Sequence, residues 1–458
     1  PAESPPSEPV IAPVTDANVN LPEPSALLTP IARIELPAAE IPAYDPATQC
    51  LFITCDDGLA VCDISHPRAP RLIQIFNPTP HAQLPRAITA SITHVAVDPA
   101  SRGILACALL PSDSANIQGR VLFLSTDSLE PLALAHVGFH PDALAFSSDG
   151  KSLLVANEGQ PVFSKGILLD PPGSITHIDL SHIEQPADFD ANHPLSVATI
   201  TFDTLPLDNP NLRIHPARSA APLLDLEPEY IAIAGDTAYI SLQENSAIAE
   251  FHIPSKRWTR ITPLPPALRT LDASDRDEAI AITSRLHAHR MPDQIVAASI
   301  NGRAILFTAD EGDDRGSPSP DASPIADQLR ISDLQRADRL DPTFFHRTDL
   351  LASVLGRLKV CAYSGDLDRD GRIELPHALG ARSVSAWDAA SMKLLADTAD
   401  AFDQRIAADA PHLFNAQLDP DANSSTPTFK FDDRSDDRGP EPEGLAFAVI
   451  NDHPILFV

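Results

Sequence analysis

The sequence predicts an all-β fold, a β-propeller of about seven blades of the YVTN- or WD40-like kind, and three observations predict it. From Ile31 onward, short β-rich runs are broken by Asp-Gly, Asn-Gly and Pro turns, with almost no sustained helical period. A hairpin with one recurring opening, Pro-Asp/Glu followed by apolar residues and Ala, returns along the chain. At 458 residues the chain also exceeds what one ordinary hydrophobic core organises, which a closed repetitive architecture resolves.

Residues 1–30, PAESPPSEPVIAPVTDANVNLPEPSALLTP, are rich in Pro, Ser and Glu and read as an extended tether ahead of a propeller over 31–458. Hairpins then open at Ala38 (AAEIPAYDPATQCLFITCDDG), Ser91 (SITHVAVDPASRGILACAL), His140 (HPDALAFSSDGKSLLVANEG) and Glu227 (EPEYIAIAGDTAYISLQEN). Further ones open at Pro292 (PDQIVAASINGRAILFTADEG), Ala381 (ARSVSAWDAASMKLLAD) and Pro440 (PEPEGLAFAVINDHPILFV). A β-sandwich has no reason to repeat this opening. A regular WD40 array is disfavoured, because Trp-Asp occurs once, at Trp387 and Asp388, without a Gly-His signal. The last hairpin ends in HPILFV with no turn after it, so the last blade is expected to be incomplete, with an open edge.

A hydrophobic fraction of 43% is enough for a packed core. The formal charge of -30, from 63 acidic against 33 basic residues, argues against nucleic-acid partners and anionic lipid and favours metal cations. Five cysteines without a CxxC pair exclude zinc-ribbon and thioredoxin readings. A local disulfide among Cys50, Cys55 and Cys62 stays open beside the favoured reading of buried free thiols. No apolar run reaches the roughly 18 residues of a membrane-spanning helix. The sequon at Asn423 reads as a polar loop.

Ordered blocks of the chain resemble the choice-of-anchor I family: AAEIPAYDPATQ, PDALAFSSDGKSLLVANEG, DLEPEYIAI with ISLQEN, LDASDRD, MPDQIVA with TADEGD, LGRLKV, GRIELPHALGARSVSAWD and FDDRSDDRGPEPEG. The resemblance runs from Ile31 to Val458. That family includes a mesenchyme-specific cell-surface glycoprotein of animals and bacterial proteins labelled alkaline phosphatase. The resemblance implies a propeller-like domain that is secreted, periplasmic or at the cell surface, and members continue past PEPEG with a further blade and a variable anchor. It also implies two alternative activities, a metal-dependent phosphomonoester hydrolase and a structural surface or matrix protein.

An antiparallel hairpin returns to the face it left, so each opening acid meets a closing one: Asp142 with Glu158, Glu229 with Glu244, and Asp293 with Glu311. If these hairpins are the innermost strands of successive blades, Glu40, Asp142, Glu229, Asp293 and Glu443 surround one mouth of the central channel. Crowded carboxylates call for a hard divalent cation, Ca²⁺ first and Mg²⁺ next, unless each acid caps its own turn. A second acidic set, Asp366, Asp368, Asp370 and Glu374 around Gly371, matches the start of a calcium loop. His377 at the twelfth position excludes an EF-hand, which requires Glu there.

Arg276, Arg315, Arg382, Arg434 and Arg438 recur within acidic blocks and suit either bound anions, phosphate included, or internal salt bridges, the commoner outcome. No nucleophile signature accompanies them, and among the histidines His94 occupies an inner-strand opening. The expectation is therefore a monomeric extracytoplasmic propeller that binds divalent cations and presents a surface to a small-molecule or surface-bound ligand.

Overall fold

The computed structural model describes residues 30–190, 193–205, 207, 209–316, 322–345, 354–419 and 428–458. The expected tether, apart from Pro30, and the Asn423 sequon lie outside them.

The turn residues act where the sequence places them. Asn301 and Gly302 take φ of +52° and +74° between paired Ile300 and Arg303, a two-residue turn whose twist matches the flanking strands. Hairpins closed in this way assemble into five four-stranded antiparallel sheets. Their first strands are Pro42–Asp45, Ala90–Val97, Pro141–Phe146, Pro228–Ala234 and Ile295–Ile300. A sixth hairpin pairs Ala446–Ile450 with His453–Phe457. Each first strand packs beside the next in chain order, from the first to the sixth, so these are the inner strands of a β-propeller.

Stacking of blades explains why the second strands lack alternation. Ile104 to Leu109 are fully buried. Leu105, Cys107 and Leu109 pack with Phe52 and Leu59 of the first blade, whereas Ile104, Ala106 and Ala108 pack with Leu153 and Val155 of the third. A strand covered on both faces reads as a continuous apolar run. The same division continues outward from the third blade, where Leu154 and Ala156 join Ile240 and Phe251 of the fourth. All five cysteines are buried and unbridged.

One sequence reading is corrected. The hairpin after Ala381 does not open a blade: Ser383–Asp388 pairs with Arg303–Asp310 and Lys393–Asp397 follows it, so the two are the outer strands of the fifth blade. Six inner strands, not seven, therefore stand among the described residues. Between the halves of that blade the chain makes a long excursion. It contributes Gln328–Arg330, Lys359–Cys361 and His377–Leu379 to a five-stranded sheet with Ala267–Leu271 and Ser284–His289. Strand pairing across such an excursion leaves no local trace in the sequence.

The excursion leaves and re-enters through two glycines in contact. Gly312 and Gly380 have φ of +98° and +88°, and a Cβ on Gly380 would lie 1.9 Å from the Glu311 carbonyl oxygen. Ionic ties hold the same junction: Arg290 Nη1 lies 3.1 Å from Asp310 and 2.6 Å from Asp397, which also accepts from Arg269 at 2.7 Å. Gly302 has a similar φ of +74° with open space around it. Gly302→Ala is therefore expected to cost about 1–2 kcal/mol for the left-handed backbone alone. Gly380→Ala should cost roughly 1–3 kcal/mol more, because backbone must shift. Urea unfolding of the two variants checks this; equal midpoints would refute the close approach.

Candidate metal centre at the channel mouth

The recurring tripeptide at each blade opening has a backbone purpose. In four of the six openings the residue two before the acid takes a left-handed conformation: Ala38 before Glu40, His140 before Asp142, Met291 before Asp293 and Glu441 before Glu443, with φ between +42° and +48°. The following Pro, or Ala39 in the first blade, then leads the chain and its acid into the inner strand, which begins at Pro141 itself in the third blade and three or four residues further on in the others. Non-glycine residues at positive φ are strained, and the strain recurs here at equivalent positions of separate blades.

The outcome is one cavity of about 240 Å³, lined by Glu40, Thr93, Asp142, Glu229, Asp293, Glu311 and Glu443 together with Ile41 and Tyr230. The five acids expected at the mouth all line it, joined by Glu311. The second blade departs: Thr93, not an acid, holds the equivalent place, and its hydroxyl donates to the Pro141 carbonyl at 2.6 Å. His94 points elsewhere, edge-on to Tyr230 at 5.9 Å between ring centroids, and does not line the cavity. Glu40 and Glu443 are exposed at the rim, while Glu229 and Asp293 are buried.

Of the closing acids, Glu158 meets Asp142, Glu311 lines the cavity with Asp293, and Glu244 groups with Glu227 rather than with Glu229. Ligand atoms of His140, Asp142 and Glu158 lie within 4.8 Å of one another, and so do those of Glu158, Glu227 and Glu244. Glu158, Glu227 and Glu244 are buried. Arg315 binds Glu227 Oε1 through Nη2 at 2.5 Å and Nε at 3.1 Å. Gln243 Nε2 donates to Glu311 at 3.0 Å, and Arg213 donates to the Glu244 carbonyl oxygen.

His140 and Glu227 are the site residues that sequence reasoning missed. A signal existed: both precede the proline of an opening, in His140-Pro141-Asp142 and Glu227-Pro228-Glu229.

Burial first, and then neighbouring carboxylates, hold these acids in their neutral form. Asp142 is raised to about 6 and Glu227 and Glu311 to about 7. Glu158, Glu229, Glu244 and Asp293 are pushed well above the usual range. Burial lowers His140 to about 4, leaving a neutral imidazole whose lone pair is available.

The acidic loop also assembles. Ligand atoms of Asp366, Asp368, Asp370 and Glu374 lie within 4.8 Å of one another, and Gly371 turns the chain at φ +95°. Backbone N–H groups already occupy part of the set, among them Leu367 N on Glu374 at 2.7 Å and Gly371 N on Asp366 at 3.0 Å.

The arginines point inward to the protein. Arg315 serves Glu227, and Arg382 donates to the Asp272, Ser435 and Asp437 carbonyls at 2.9–3.0 Å. Arg434 and Arg438 both pair with Glu441, Arg438 also with Asp313, and exposed Arg276 pairs with Asp275 at 3.2 Å. None of the five lines the cavity.

Comparison with known proteins gives a family. The choice-of-anchor I domain matches residues 40–458. Gigasin-3a of Magallana gigas is 33% identical over 106 residues, 23% of this chain, and the match spans 36% of that protein's length. Among solved structures, the β-propeller domain of Cps50 (Swd1) from Myceliophteria thermophila is 12% identical, with 61% of this chain and 69% of that one covered and a TM-score of 0.35. AztD from Citrobacter koseri is 13% identical, over 50% of this chain and 48% of its own, with a TM-score of 0.28.

The acid cluster sets a pH dependence of definite sign. Unfolded, these carboxyls ionise near their ordinary values of 3.8 and 4.5; folded, they keep their protons to about 6 or beyond. The native state therefore binds more protons across this window, and metal-free stability falls as pH rises. Carboxylates held low, such as Asp388 beside Ser391 and Arg303, titrate below it. Buried His94, His140 and His377, lowered to about 4, pull the other way below pH 6.5, so in chelator the melting temperature should drop from pH 6.5 to pH 8; a flat or rising profile would contradict the cluster.

Proposed function

The chain belongs to the choice-of-anchor I domain family, and on that premise we propose that it is an extracytoplasmic β-propeller that binds a divalent cation, Ca²⁺ foremost, at the mouth of its central channel. One observation carries the reading: six carboxylates from five blade openings and one hairpin end line a single cavity, and no lining side chain is basic. Carboxylate oxygens converging from several directions are the donor set of hard cations, and Ca²⁺ accepts six to eight of them with tolerant geometry. A bound cation would offset the mutual repulsion of these carboxylates, which burial amplifies.

The extracytoplasmic placement rests on the family and agrees with the charge of -30. No helix among the described residues is long and apolar enough to cross a membrane. The Asp366 loop serves as a second, structural calcium site, since its alternate carboxylates already converge and Asp366 Oδ1 is buried without a partner. The channel face, rimmed by exposed Glu40 and Glu443, is the surface offered to a ligand. The engaged arginines leave the hydrolase alternative without a phosphoryl clamp at the cavity.

Thermal melts of chelator-stripped protein test the proposal. At a cation concentration 100 times Kd, stabilisation should be about 2.7 kcal/mol. Glu229→Gln with Asp293→Asn should weaken binding at the channel at least tenfold by calorimetry while the loop still binds. Asp368→Asn with Asp370→Asn should do the reverse. No change in melting temperature with Ca²⁺, Mg²⁺, Mn²⁺ or Zn²⁺ would overturn the reading.

A further inference from the structure

The two groups of ligand atoms beside the cavity share one residue. Glu158 stands within 4.8 Å of His140 and Asp142 on one side and of Glu227 and Glu244 on the other. We propose that the channel centre is binuclear, with one divalent cation held by His140, Asp142 and Glu158, a second by Glu158, Glu227 and Glu244, and Glu158 as the bridging carboxylate. This deepens, and rests on, the cation-binding reading above: the first of the two ions is the channel-mouth cation, seated through Asp142, with the remaining cavity acids facing it.

An observation independent of the acid count points to a missing ligand. Glu244 is 4% exposed, yet its Oε2 atom is buried with no hydrogen-bond partner. A carboxylate oxygen left bare in the interior is costly unless something positive meets it. Its backbone is fixed from outside the cluster: Arg213 donates to the Glu244 carbonyl oxygen, and Asn245 Nδ2 donates to the Arg213 carbonyl at 2.9 Å. The side chain is thereby held toward Glu158 and Glu227 without a protein donor for that oxygen.

The neighbouring guanidinium does not fill the role. Both Arg315 contacts to Glu227 fall on Oε1, through Nε and Nη2, and Arg315 is further shared with Asp225 at 3.5 Å. Asp142, Glu158, Glu227 and Glu244 would carry four negative charges when ionised, which is the charge that two divalent cations supply.

The two pockets differ in donor chemistry. His140 presents Nε2 3.4 Å from Glu158 Oε2, so its pocket mixes nitrogen with oxygen and suits a transition ion such as Mn²⁺ or Zn²⁺. The Glu158, Glu227 and Glu244 pocket offers oxygen alone and suits Ca²⁺, Mg²⁺ or Mn²⁺. Mn²⁺ fits both, which makes it the probe.

The experiment uses the full chain carrying Asp368→Asn and Asp370→Asn, so that the loop does not contribute. After chelation and loading with Mn²⁺, elemental analysis should count two ions per chain, and electron paramagnetic resonance should show a spin-coupled pair. Glu244→Gln should leave one ion with the six-line spectrum of an isolated Mn²⁺, and His140→Ala should do so from the other side. Glu158→Gln should abolish coupling and weaken both ions at least tenfold. Metal-free Glu244→Gln should melt no lower than its parent, since Gln has the size and hydrogen-bonding shape of a protonated Glu, which separates lost binding from lost folding. One ion per chain, or two uncoupled ions, would overturn the binuclear centre and leave the cation reading standing. No bound ion would overturn both.

Discussion

Repulsion between desolvated carboxylates at the convergence of the inner strands is the constraint to which the rest of this structure answers. Like charges brought from several blades to one cavity oppose closure of the ring, and burial of Glu229 and Asp293 strengthens the opposition. The force that prevails is apolar. The second strands of the second, third and fourth blades bury both faces between blades, as Ile104 to Leu109 do, and those stacked surfaces bring the inner strands together regardless of what their first residues carry.

Positive charge is placed around the ring rather than in it. Arg213 reaches Asp327 and the Glu244 carbonyl, Arg315 reaches Glu227, and Arg382 gathers three backbone carbonyls. Arg213 fastens the long excursion of the fifth blade, through Asp327, to the closing end of the fourth-blade hairpin at Glu244, and Arg315 fastens it to the opening of that hairpin at Glu227. Their contribution is positional, since buried ion pairs gain little net energy but are costly to break. The acids they leave uncompensated are those that face the cavity.

The blade openings and the opening acids were legible because the Pro-acid pair is a local signal that works through backbone φ. Pairings within hairpins were legible for the same reason, as Asp142 with Glu158 shows. The second half of the fifth blade was not: Ser383–Asp388 looks like any other hairpin start, and only its pairing with Arg303–Asp310, across the excursion, reveals it as an outer strand. His140 and Glu227 escaped because their value depends on three-dimensional neighbours from other strands. Thr93 escaped because a single substitution in a repeat is invisible to a pattern that tolerates one, and His94 drew notice in its place.

The cavity draws its walls from both ends of the chain, Glu40 at one and Glu443 at the other. A nascent chain emerging from its N-terminus stacks its early blades first and brings Glu443 to the mouth only about 400 residues after Glu40. Until then no complete site exists, and the charges that will crowd it are still apart. A cation would then act as a clasp fastened at the last step. On the extracytoplasmic placement proposed above, the ion content of the destination compartment would decide when the ring shuts.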